Sequence, residues 1–183
     1  MGSIHIYHDQ SSYLDLIAQA ESSLGILFQE PLRQYMARAL ASHHGDNWQE
    51  PDWAAYWLKG GATEAGVAPL RHQAEVCLLG VGLYPKRVIH ASGGLDLAMG
   101  CVHRLYGQLA DCGYRDPNVD RDLFLDVDKR AIALVDVLMM MQERVLEKDT
   151  LDWQEASRFR AHFPSSLYAD RVLQGPMPSS TLS

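Results

Sequence analysis

From Val119 to Lys148 the chain runs for 30 residues without a proline or a glycine. Within that stretch Phe124, Val127, Ala131, Leu134, Leu138, Met141 and Val145 recur in alternating steps of three and four. Those steps put every one of them on a single stripe of an α-helix, whereas a strand would need steps of two. The stripe is a seam of heptad type. Leu123, Ile132, Val135 and Met139 widen it, so the spacing predicts a helix that buries more than one face. A helix of that kind needs other helices around it, and it sets the expectation of an all-α fold.

The remainder of the chain supplies them. Proline and glycine divide it into segments whose apolar residues keep the helical period. Ser11-Ser12 can cap a first helix carrying Leu14, Ile17, Leu24 and Phe28. Pro31 suits the first turn of a second, with Leu32, Tyr35, Met36, Ala39 and Leu40 on one face. Pro51 opens a short aromatic turn with Trp53, Tyr56 and Trp57, which Gly60-Gly61 closes. Pro69 starts a helix with Leu70, Ala74, Cys77, Leu78 and Val81 inward. After Pro85 a long helix runs to Cys112, with Gly93-Gly94 marking a bend or a close contact. The long helix of the 119–148 stretch follows, and then a last amphipathic helix capped by Thr150 or Asp152. The expected organisation is one domain over 1–173, with core helices at about 11–148 and an appended helix at about 150–173. Residues 174–183 read as a flexible tail or linker.

Composition narrows the class of partner. A formal net charge of −7, with no dense run of lysine and arginine, argues against nucleic acid or an anionic membrane. No stretch of about 18 apolar residues is present to span a bilayer. The first residues lack the basic and apolar pattern of a signal peptide, so the expected location is the cytoplasm. Cys77, Cys101 and Cys112 form no CxxC pair and leave one sulfur over in any disulfide scheme; they read as small buried hydrophobes.

The usual chemical constellations are missing. No glycine-rich phosphate loop opens a helix, and no HExxH, GxSxG or spaced Cys/His set occurs. The run His43-His44-Gly45-Asp46 reads as a polar helix terminus rather than a metal site. His72 and Glu75 share a helix face and are expected to form a surface hydrogen bond or ion pair. Asp120, Asp122, Asp126 and Asp128 gather at a helix start, where negative charge is favourable. Met139, Met140 and Met141 read as core filling. No enzymatic activity is expected.

One segment resembles a known family. Ala74 to Pro85, and especially Val81-Gly82-Leu83-Tyr84-Pro85, is similar to the F-helix region of bacterial sensor globins, the globin-coupled sensor family. There a Trp-containing helix and a short connection precede an F helix that ends in His-x-x-Ile-Gly-Leu-x-Pro, and the long G and H helices follow. The resemblance covers roughly half the chain and implies a globin-like helical sandwich, with 85–112 as G and 119–148 as H. It departs from the family where haem chemistry needs it most. The position of the proximal histidine is Leu78, which cannot ligate iron. If haem binds, Cys77 and His72 are the substitute ligands; if not, the residual pocket is expected to be lined by Phe28, Trp57, Leu78, Val88 and Leu134.

The resemblance therefore implies a sensory or regulatory domain without haem. Such a domain signals through ligand- or partner-dependent changes in a helical homodimer, with a small apolar ligand or a downstream signalling protein as partner. A haem-binding sensor of O2, NO or CO is one alternative, and a helical adaptor or chaperone is the other. The dimer expectation has its own basis in the second apolar stripe of the long helix, which a single seam leaves unpartnered.

Overall fold

The structure, a computed structural model, describes residues 9–43, 49–61, 66–145 and 150–175. Every regular element among them is a helix. In chain order they are α1 (Gln10–Leu24), α2 (Glu30–Ser42), α3 (Trp53–Lys59), α4 (Val67–Leu83), α5 (Pro85–Ser92), α6 (Leu95–Cys112), α7 (Arg121–Lys129), α8 (Ala131–Val145), α9 (Trp153–His162) and α10 (Leu167–Gln174). The fold is all-α, as the periodicity requires, and no helix among the described residues is long and apolar enough to cross a membrane.

Local chemistry sets most helix boundaries. Asp9, not Ser11 or Ser12, caps α1: its carboxylate accepts from the Ser12 backbone N–H at 2.9 Å, and both serine hydroxyls donate to it. Pro31 stands in the first turn of α2, as expected. The buried Glu21 joins these two helices by accepting from the Phe28 N–H and the Arg33 guanidinium. Helix α4 begins at Val67, two residues ahead of Pro69, which its unbonded first turn tolerates. Asp152 caps α9 in a reciprocal box with Glu155.

Three expected long helices are each divided. The 85–112 segment breaks at Gly93, whose φ of 86° is left-handed, and Gly94. The appended 150–173 helix is two helices, because Pro164 forces Phe163 out of helical geometry (φ −124°, ψ 77°). The 119–148 stretch is broken at Arg130 (φ −103°, ψ 11°). The halves meet different neighbours, α7 lying mainly on α6 while α8 packs on α4, α1 and α10. The break turns one seam into two aimed at different parts of the core.

That arrangement gives part of the second apolar stripe a partner within the chain. Every side chain from Leu134 to Gln142 is buried within the single chain. Of the second stripe, Val135 and Met139 are buried by the chain's own helices, while Leu123 and Ile132 are half-buried. Helix α4 is likewise enclosed along its last three turns, packed against both α6 and α8. Gly82 makes the second contact possible, since a Cβ there would lie 2.3 Å from the Leu138 Cβ.

Candidate functional site

Five polar side chains converge where α2, α4 and α6 meet. Glu75 projects from the buried face of α4 and is 6% exposed. One carboxylate oxygen accepts from Arg71 Nε at 2.7 Å, one turn earlier on the same helix. The other lies 3.1 Å from Nε2 of His43, at the C-terminus of α2. Deeper in, the Tyr35 hydroxyl from α2 sits 2.9 Å from that of Tyr106 on α6, both side chains fully buried. Glu75 lies near enough to Tyr35 for its charge to act on the phenol, and either hydroxyl of the tyrosine pair can be the donor. The Arg71 guanidinium lies 5.2 Å above the Tyr35 ring, and Phe124 of α7 meets both tyrosine rings near 6 Å.

The electrostatics follow from this geometry. Burial opposes charge on Glu75, but the hydrogen bonds and charges of His43 and Arg71 outweigh it and hold its pKa below the ordinary carboxylate value. Burial first, and the Glu75 charge second, push the Tyr35 hydroxyl upward; Tyr106 is raised well above the phenol range by burial. The chain is therefore Tyr106–OH, Tyr35–OH, Glu75 carboxylate, then His43 and Arg71, with the negative charge at its outer end.

That outer end opens on a pocket of about 450 Å³. His43 and Ser42 close one side of it, His72 and Gln73 of α4 another, and Asp52 and Tyr56 a third. His72 is exposed, and its ring lies tilted against that of His43, with centroids 4.8 Å apart and planes 39° from parallel. Sequence spacing had paired His72 with Glu75; in the fold Glu75 turns inward to Arg71 and His43. His44 and Asp46 lie outside the described residues. Among the described residues no cluster of three or more His, Cys, Asp or Glu is arranged to hold a metal ion.

The residues expected to line an apolar ligand pocket do not form one surface. Phe28, Leu78, Val88 and Leu134 are buried at 3% exposure or less and are packed as core. Trp57 is 47% exposed, its ring lying in the slot left by Gly100 on α6. None of the five borders the pocket beside His43. The donor set does not fit haem iron. Leu78 has no lone pair, His72 faces solvent, and burial raises the Cys77 thiol well above its ordinary pKa, which disfavours the ligating thiolate.

A third buried carboxylate, besides Glu21 and Glu75, escaped the sequence reading. Asp136, in the middle of α8, has no exposed surface. It accepts from the Ser166 hydroxyl at 2.6 Å and the Leu167 N–H at 2.8 Å, and so holds the N-terminus of α10. Ser166 in turn caps α10 through the Ala169 N–H. Burial pushes the Asp136 carboxyl up to about 6, although its hydrogen bonds favour the charged form. The legible signal was a single acid inside an apolar run, with a Ser ahead of a separate helix.

Compared with protein-family models, curated proteins and solved structures, the chain matches none.

Proposed function

We propose that the chain is a sensory or regulatory helical domain of globin-like arrangement that works without haem. The observation that carries the reading is the polar path from the His43 pocket to Tyr106: His43 pairs with Glu75, the Glu75 charge acts on Tyr35, and Tyr35 pairs with Tyr106. Its outer end is accessible to a small polar molecule, and its inner end touches the ring of Phe124 at the α6–α7 contact. A ligand that engages His43 changes what Glu75 must neutralise, and the hydroxyls behind it respond. Coupling of this kind is typically worth about 1–3 kcal/mol, enough to bias a regulatory equilibrium. The order of elements supports the globin-like part: a Trp-bearing α3, an α4 ending at Leu83 with Tyr84-Pro85 after it, then two further helical segments in the order the resemblance expects for G and H. The ligand class differs from the apolar one that the family resemblance implies, because the pocket at the end of this path is polar.

Two measurements test it. Replacing His43 by Ala should move the NMR resonances of Tyr106 and Phe124, and the same change in a Tyr35→Phe background should not. Purely additive shifts would sink the proposed path. Visible absorption tests the haem-free part: the isolated protein is expected to be colourless, with weak and non-stoichiometric haem uptake. A one-to-one complex whose Soret band vanishes in Cys77→Ala or His72→Ala overturns it.

A further inference from the structure

A second cavity, of about 380 Å³, lies between the α5–α6 corner and α9. Its floor is apolar. Leu95 and Phe159 are core residues, at 6% and 2% exposure, and the Phe163 ring lies beside that of Phe159 with centroids 4.8 Å apart. Its rim is charged with both signs, Arg158 coming from α9 and Asp96 from the first turn of α6. Both side chains are exposed, and neither makes an ion pair or side-chain hydrogen bond with another described residue. Gly94 shapes the corner: an Asp96 carboxylate oxygen lies 2.4 Å from where its Cβ would be. The other rim carboxylate, Glu155, is engaged by the Asp152 N–H in the α9 capping box.

The charges select the ligand. A simple organic acid would be met by Arg158 but opposed by Asp96 and Glu155. An amine would be met by the carboxylates and opposed by Arg158. A molecule carrying one charge of each sign, with an apolar body to cover the phenylalanine floor, satisfies all of them. We propose that this cavity binds a small zwitterion with an apolar side chain, of the class of aromatic and branched α-amino acids. Its carboxylate pairs with Arg158, its ammonium with Asp96, and its side chain lies on Phe159 and Phe163; His90 and His162 add ring nitrogens at the rim. The site is separate from the Glu75 pocket, and its argument does not rest on the function proposed above.

Isothermal titration of the whole chain with L-phenylalanine tests this, with phenylacetate and phenethylamine as the two single-charge analogues. The expected result is saturable one-to-one binding of L-phenylalanine, with each analogue weaker by about tenfold or more. Arg158→Gln should weaken L-phenylalanine and phenylacetate but spare phenethylamine, and Asp96→Asn should show the mirror pattern. Both positions are exposed, so neither change threatens the fold. No saturable binding up to about 10 mM overturns the proposal. So does either analogue matching L-phenylalanine, or retention of full affinity by both variants.

Discussion

Glu75 and Asp136 are both carboxylates on the inward faces of central helices, yet their surroundings shift them in opposite directions. Glu75 is met by an arginine and a histidine, and its pKa is held down. Asp136 is met only by a hydroxyl and backbone N–H groups, with Asp170 nearby adding repulsion, and its pKa rises to about 6. Burial penalises both; the partner decides the sign. A buried carboxylate with cationic partners is kept ionised. A buried charge with only dipoles beside it sits near its titration point and belongs with attachment of one element to another.

The largest expected effect breaks the first member of the pair. Glu75→Ala leaves Arg71 and His43 without their acceptor, and should cost about 3–4 kcal/mol in urea unfolding at pH 7. A loss below about 1 kcal/mol would mean that the cations do not hold Glu75 as argued.

The next effect separates the two by pH. The Asp136 carboxyl takes up its proton more readily folded than unfolded, since about 6 exceeds the ordinary 3.8. Its contribution to stability is therefore greatest below about pH 4 and is lost as pH rises through 6, by roughly 2–3 kcal/mol in all. Glu75 has the opposite sign: its contribution is present above the ordinary 4.5 and is lost as pH falls through its lowered value. Asp136→Asn should remove the decline between pH 4 and 7 from the stability curve of the parent, leaving the acid limb in place. An unchanged decline in that variant would place the titrating group elsewhere.

Ser166→Ala comes third. It removes both a donor to Asp136 and the cap of α10, and should cost about 1–2 kcal/mol at pH 7. It should also loosen α10 more than α8, which hydrogen exchange resolves. Equal loss of protection in both helices would contradict a local attachment. The smallest effect is a control outside the pair. His103 and Asp128 approach to 2.7 Å, but their side chains are 43% and 33% exposed. Asp128→Asn should change stability by no more than about 1 kcal/mol; a loss matching that of Glu75→Ala would show that burial is not what distinguishes these carboxylates.

The all-α class and most helix starts were legible because they depend on local rules: the three–four period, Pro31 in a first turn, Asp152 ahead of a Glu. The break at Gly93-Gly94 was marked by its residues. The one at Arg130 was not, because it follows from two halves of a seam meeting different helices, and no local residue announces that. The polar site was half legible. Spacing on one helix singled out Glu75 and offered His72 as its partner, while the actual partner, His43, lies 32 residues away on α2. Tyr35 passed for an apolar core residue on its period, since period describes where a ring goes and not what its hydroxyl meets. Asp136 was hidden by the strength of the apolar pattern around it.

The missing side chain at Gly82 has a mechanical consequence. With Leu138 filling that place, α4 cannot slide along α8 without driving backbone into a side chain. The two helices must move together or not at all. Strain arising at Glu75 therefore has no outlet along its own helix toward α8. In the regulatory reading proposed above, a displacement at Glu75 would have to pass sideways, to α2 and α6, whose Tyr35 and Tyr106 hydroxyls meet behind it.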